Sequence, residues 1–200
     1  MNMETDIRNI KTYVISVNDA TERRNNTSNL LNKLGFNNWS FVDAIKIQDR
    51  SNYWIGCALS HKIVLDKATF PCIILEDDVG ATEWFDPIQE LPENALTYFG
   101  ISSWGLKSGT SKNFGSVFEH VNDKLNKVKY MCSTHAIYYS DETIAKSFSN
   151  SIIEQLFVNK RPFDELYAIL QTKHDTYSIN KPLFYQDCSL NKEFTYFKNI

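Results

Sequence analysis

An α/β layer fold is predicted for this 200-residue chain, on three observations. Up to Val79 the chain alternates apolar runs with helix-compatible segments in the order strand, helix, strand, helix, strand. The run Cys72-Ile73-Ile74-Leu75 lacks polar alternation, as a strand buried on both faces would. It stops abruptly at Glu76-Asp77-Asp78. Three carboxylates cannot continue into a core, because unpaired buried charge is very costly. The triplet is therefore placed at the carboxyl end of a buried strand, where open α/β sheets bind ligands.

The elements follow in order. Thr12-Tyr13-Val14-Ile15-Ser16-Val17 reads as a first buried strand, with Asn18-Asp19 as turn or cap. A polar-faced helix is expected over 21–34, stopped by Gly35 at a C-terminal cap position. Trp39 to Ala44 alternates as a second strand, and 45–53 is polar and reads as loop. A second helix is expected over 55–68, with Ala58, Leu59, Ile63 and Leu65 as its apolar side; Pro71 marks the turn into the acid-tipped strand. Further on, 96–102 and 131–140 read as strands, and 105–115, rich in Gly, Ser, Thr and Lys, reads as a mobile loop. Asp141 is placed as the cap of a helix running to about Phe148, a helix is expected from Pro162 to Leu170, and 177–185 is short extended structure.

Bulk properties narrow the function classes. Hydrophobic residues at 42% and charged residues at 22% are those of a globular protein, and 200 residues suit one domain. A net charge of -3 demands neither a nucleic-acid nor an anionic-membrane partner. Lys124, Lys127 and Lys129 form the one modest basic cluster. No apolar run approaches the roughly 20 residues of a membrane helix. The first residues lack the pattern of a secretory signal, so a cytoplasmic location is expected. Cys57, Cys72, Cys132 and Cys188 form no C-x-x-C pair, so free thiols are expected rather than structural zinc.

The acidic triplet carries the chemistry. Three adjacent carboxylates repel one another unless a cation or strong donors compensate. A hard cation, Mg²⁺ or Mn²⁺, holding a substrate's phosphates would do so. A solvated acidic turn is the other reading of the triplet taken alone.

Four separated segments then point to one family. Tyr13-Val14-Ile15-Ser16-Val17 with Glu22-Arg23-Arg24, Gly56-Cys57-Ala58-Leu59-Ser60-His61, Ile74-Leu75-Glu76-Asp77-Asp78-Val79, and the ordered set Thr134-His135-Ala136-Ile137-Tyr138, Pro162-Phe163-Asp164 and Pro182-Leu183-Phe184-Tyr185-Gln186 together resemble the family-25 glycosyltransferases. That family is known from lipooligosaccharide galactosyl transfer and collagen galactosylation. Two departures are Ser16-Val17 in place of Asn-Leu, and His135-Ala136-Ile137 in place of a G-x-A-Y-like start.

The resemblance implies a GT-A type α/β/α sandwich with a Rossmann-like mixed sheet, binding a nucleotide-sugar at the strands' carboxyl ends. It implies one glycosyltransferase domain over 1–200, with a donor-nucleotide half about 10–105 and an acceptor and catalytic half about 106–190. The reaction implied is metal-assisted, inverting transfer of a hexose, galactose or glucose, from a UDP-sugar to a hydroxyl acceptor, in surface-glycan or lipopolysaccharide-type synthesis. Mn²⁺ or Mg²⁺ would be held first by Asp78, then by Glu76. Asp77 would turn toward a ribose or the sugar, since adjacent strand residues point to opposite faces. Asp164 is the expected acceptor base, at a helix start that favours an anion; a simple dipole partner is the alternative there. Ser16, Arg23, Arg24, Ser60, His61 and Gln186 are the remaining donor-site candidates. Each has an ordinary reading too: solvated arginines, a structural histidine, a glutamine capping a turn. Lys107 and Lys112 would approach the diphosphate if their loop closes. Two other functions fit the same residues. One is a viral or phage enzyme glycosylating hydroxylated DNA bases, against which the acidic balance weighs. The other is a catalytically silent binder of nucleotide-sugars or glycans.

Overall fold

A computed structural model describes residues 3–49, 52–102, 104–107, 113–158 and 162–187. The first half runs β1 (Met3–Asp6), β2 (Lys11–Ser16), α1 (Thr21–Leu34), β3 (Trp39–Asp43), α2 (Tyr53–Lys67), β4 (Cys72–Glu76), β5 (Val79–Ala81), β6 (Ile88–Leu91) and β7 (Leu96–Tyr98). The second runs β8 (Trp104–Lys107), β9 (Asn113–Gly115), β10 (Val117–His120), β11 (Leu125–Tyr130), β12 (Ala136–Tyr139), α3 (Glu142–Val158), α4 (Phe163–Leu170), β13 (Thr176–Ile179) and β14 (Phe184–Gln186).

Eight strands form one mixed sheet in the order β10-β11-β13-β7-β12-β4-β2-β3, and the fold is α/β as expected. β2 is parallel to both β3 and β4, while β12 runs antiparallel to β4 and β7. The chain leaves β2 for β3 on one side and then returns to β4 on the other. That reversal of direction opens a crevice at the carboxyl ends of β2 and β4. The amino end of antiparallel β12 and the carboxyl end of β7 reach the same edge.

Strand alternation builds the two layers of core. Cys72 and Ile74 pack with Leu65 of α2, Phe148 of α3 and Tyr167 of α4. Ile73 and Leu75 pack on the opposite face with Val14, Phe36 and Leu31 of α1. These four residues of β4, Cys72 to Leu75, are fully buried, which is why their sequence shows no polar alternation.

α1 spans the predicted residues and ends at Gly35, whose φ of 84° is left-handed and whose N–H bonds to Asn32 and Leu31 carbonyls. Asp141 caps α3, its Oδ1 accepting from the Ile144 N–H at 3.0 Å. α3 continues to Val158, well past Phe148. α2 starts at Tyr53, earlier than predicted, and its buried face includes the predicted Ala58 and Leu65 but is rotated from the rest of the predicted side. Ser60 and His61 point inward with Ala58, Val64 and Leu65, whereas Leu59 and Ile63 are only half-buried. The loop before α2 presses directly on the helix: a side-chain carbon on Gly56 would lie 2.4 Å from the Ile45 carbonyl oxygen.

Other boundaries also differ. β7 ends at Tyr98 because the chain then peels away, with the Phe99 carbonyl accepting from the Leu183 and Phe184 N–H groups. Part of the predicted 105–115 loop is the β8–β9 ribbon, with 108–112 outside the described residues. β12 is the only strand within 131–140, and 177–185 holds β13 and the start of β14. β1, β5, β6, β10 and β11 were not anticipated. Among the described residues no helix is long and apolar enough to cross a membrane.

Gly35→Ala is expected to destabilise the protein by about 1 kcal/mol, since a left-handed residue with a β-carbon costs roughly that much. Urea unfolding measures it; an unchanged midpoint would show that α1 ends another way.

Candidate active site

The three carboxylates at the tip of β4 part ways. Glu76 continues the alternation of Cys72 and Ile74, so it faces α2 and α4. There Thr134 Oγ1 donates to Glu76 Oε1 at 2.6 Å and His61 Nε2 lies 3.1 Å from the same oxygen. Cys57 Sγ is 4.0 Å away. Burial pushes the Glu76 carboxyl up, but the His61 bond, that ring's charge and the Thr134 hydroxyl outweigh it and leave it below the usual range.

Asp77 faces the other layer, toward α1. Arg23 Nη1 donates to its Oδ1 at 2.9 Å and Ser16 Oγ to its Oδ2 at 2.7 Å. Thr27 Oγ1 donates to its backbone carbonyl at 3.0 Å, so the first two turns of α1 are tied to the β4 tip. Arg24 does not reach the triplet. It pairs with Asp43, lies 3.3 Å from Ser16 Oγ and sits over the Phe41 ring. It braces Ser16, which in turn holds Asp77.

Asp78 is the least compensated of the three. Gln186 Nε2 donates to its Oδ2 at 3.1 Å, and Arg23 Nη1 is 4.0 Å away. Its Oδ1 is buried with no hydrogen-bond partner among the described residues. Burial and the neighbouring Glu76 charge push its carboxyl up to about 7, against relief from Gln186 and Arg23.

Two cavities meet at this edge. The larger, about 470 Å³, opens between Ser16, Arg23 and Lys46 and is floored by the triplet. The smaller, about 310 Å³, is bounded by Trp54, Thr134, His135, Asp164 and Gln186. Tyr53, Cys57 and Glu76 line both. Asp164 sits in the first turn of α4, its Oδ1 accepting from the Glu165 N–H at 3.0 Å. Burial nevertheless raises its carboxyl above the ordinary range. Such volumes suit small-molecule sites.

Of the residues singled out in the sequence, Ser16, Arg23, Asp77, Asp78, Glu76, His61, Gln186 and Asp164 are gathered at this edge. Ser60 also borders the larger cavity, but its hydroxyl accepts from the Ile45 N–H at 2.8 Å and donates to the Gly56 carbonyl at 2.6 Å, locking the loop onto α2. Lys112 and the Lys107 side chain lie outside the described residues. Lys46, Thr27 and Thr134 were not selected. Lys46 pairs with Asp19 at 2.6 Å beside the larger cavity, and only the fold brings it there. The lysine cluster at 124, 127 and 129 is neutralised, since the three pair with Glu90, Asp175 and Glu119.

No protein-family model and no curated protein matches the chain. Among solved structures, a glycosyltransferase involved in the glycosylation of the major capsid of PBCV-1 is similar at 8% identity and a TM-score of 0.39, covering 86% of this chain and 93% of that one. The nucleoside-diphosphate-sugar pyrophosphorylase from Vibrio cholerae RC9 is similar at 10% identity and a TM-score of 0.44, covering 88% and 76%.

The raised Asp78 carboxyl has a consequence for stability. The folded state holds this proton between the ordinary 3.8 and about 7, so stability falls as pH rises through that window. The loss above it is at most about 4 kcal/mol, shared with Glu76 and Asp77, whose charges help cause it. Asp78→Asn is therefore expected to raise the melting temperature at pH 8 in EDTA and to leave it unchanged near pH 4. An equal melting temperature at pH 8 would show that Asp78 is compensated in solution.

Proposed function

We propose that the protein is a nucleotide-sugar-dependent glycosyltransferase of the GT-A type, related to family 25. In this reading it moves a hexose to a hydroxyl acceptor with inversion, in surface-glycan synthesis. The observation that carries the reading is the pair of adjoining cavities. One holds a cation-ready carboxylate beside Arg23 and Lys46; the other holds Asp164, and they share the wall made by Tyr53, Cys57 and Glu76.

The donor, a UDP-hexose, occupies the larger cavity, built by the first half of the chain. Arg23 and Lys46 lie where a diphosphate needs counter-charge. The orphaned Asp78 Oδ1 fits a hard divalent cation, Mn²⁺ or Mg²⁺, because such an ion would supply the charge that Gln186 and Arg23 only partly provide. When bound, that ion supplies Lewis-acid stabilisation of the leaving diphosphate. Glu76, committed to His61 and Thr134, stands behind Asp78 as a fixed negative charge.

The acceptor occupies the smaller cavity. Its hydroxyl oxygen attacks the anomeric carbon from the side opposite the diphosphate, the sugar–phosphate bond breaks with its electron pair on the diphosphate, and Asp164 takes the hydroxyl proton. A carboxyl raised by burial is a stronger base once ionised than an exposed one. A silent binder would gain nothing from desolvating two carboxyls. A duplex-DNA acceptor would want clustered excess basic charge, and the net charge of -3 weighs against it.

UDP-hexoses with Mn²⁺ are expected to raise the melting temperature; stabilisation is about 2.7 kcal/mol at a hundredfold excess over Kd. Asp78→Asn should abolish the Mn²⁺-dependent part. Asp164→Asn should keep it while lowering transfer by about 100-fold or more. Loss of donor binding in Asp164→Asn would remove its assignment as base, and no shift with any nucleoside diphosphate would remove the donor reading.

A further inference from the structure

Cys57 and His61 stand one helical turn apart on α2, and both face the tip of β4. The Cys57 sulfur, a His61 ring nitrogen and a Glu76 carboxylate oxygen all lie within 4.8 Å of one another. Donor atoms about 2.0–2.3 Å from a common centre in a tetrahedron are separated by roughly 3–4 Å. The His61–Glu76 and Cys57–Glu76 separations are 3.1 and 4.0 Å.

The surroundings support more than chance proximity. Three protic groups, the Cys57 thiol, the His61 ring and the Thr134 hydroxyl, converge on one oxygen, Glu76 Oε1. The Thr134 hydroxyl holds the carboxylate in place from outside, as second-layer partners of metal ligands do. The Glu76 carboxylate at 3.1 Å holds a ring proton on Nε2, and His61 Nδ1 has no hydrogen-bond partner among the described residues, so Nδ1 is open to carry the proton once Nε2 binds a cation. Cys57 and Glu76 line both cavities, which leaves a coordination position open to them.

The geometry points to a second cation site, held by Cys57 Sγ, His61 Nε2 and Glu76, that takes a thiophilic divalent ion of the Zn²⁺ or Co²⁺ class and stays open to the two cavities. The donor set separates it from Asp78, where only oxygen is on offer and a hard ion is favoured. It is the open three-ligand kind of site, which needs no C-x-x-C pair. Binding releases the thiol proton to solvent and moves the ring proton to Nδ1. The proposal rests on these three side chains, whatever the protein transfers.

Cobalt substitution tests it on the intact chain. Co²⁺ should bind one equivalent with a near-ultraviolet thiolate charge-transfer band and intense visible bands of four-coordination, and Zn²⁺ should displace it. Cys57→Ser should lose the charge-transfer band, while Cys72→Ser, Cys132→Ser and Asp78→Asn retain it. X-ray absorption of the zinc-loaded wild type gives an answer that needs no variant: one sulfur at about 2.3 Å with the remaining ligands nitrogen or oxygen at about 2.0–2.2 Å. No charge-transfer band in the wild type, a band that survives Cys57→Ser, or a shell without sulfur would each overturn the assignment.

Discussion

The arrangement depends on β4 being buried on both faces and then ending in charge. Cys72 through Leu75 are fully enclosed, so the strand cannot slide or rotate without exposing one layer or the other. Register is thereby fixed at its tip, with Ile15 of β2 opposite Glu76 and the Ala136–Leu75 pair beside it. Alternation then sends Glu76 toward α2 and α4, and Asp77 toward α1. Each layer has a cation or donor waiting: His61 and Thr134 on one side, Arg23 and Ser16 on the other. The electrostatic cost of the triplet is thus divided between two helical layers, and of the three it is Asp78, in the turn beyond the strand, that has a buried carboxylate oxygen with no hydrogen-bond partner among the described residues.

That division explains how a poorly compensated acid can persist. Asp77 is nearly enclosed and bonded at both oxygens, and it fixes α1 to the sheet through Arg23 and Thr27. Glu76 is held by three donors. Both anchor the edge firmly enough to tolerate the strain at Asp78, whose carboxyl is raised by burial and by those same neighbours. Stability yielded at one group and secured by the groups around it is the usual pattern where a site is organised for a charged ligand.

The sequence was legible where local rules and burial agreed. The unbroken apolar run of β4, the stop of α1 at Gly35 and the cap at Asp141 each follow from a single residue type in a single conformation. Legibility failed where tertiary context decided. α2 hides Ser60 and His61 because Ile45 bonds the Ser60 hydroxyl and the β4 tip bonds His61 Nε2, whereas apolar periodicity points to Leu59 and Ile63. β10 has an almost wholly exposed face and β5 is three residues long, so neither shows a strand's pattern. Within the site, the residue types of Glu76, Asp77 and Asp78 were visible, but their separate partners were not. Thr134, Thr27 and Lys46 carry no signal of their own, since a threonine or lysine becomes informative only when the fold sets it against a carboxylate or a cavity.

The division also bears on what an acidic triplet can mean. Taken as a unit, three carboxylates suggest one oxygen-only cation site. Distributed over a strand end, they enter three different chemical environments: a thiol and an imidazole around Glu76, a guanidinium and a hydroxyl around Asp77, and a carboxamide with an open oxygen at Asp78. Hardness of the donor set therefore changes across a few ångströms of one edge, from all-oxygen at Asp78 to sulfur, nitrogen and oxygen at Glu76. Since Glu76 lines both cavities, any charge it gains or loses is felt at Asp78 on one side and at Asp164 on the other. Coupling between the two halves of the site thus runs through the one carboxylate whose partners belong to α2 and the β12 edge, and Cys57 and His61 are placed to tune it.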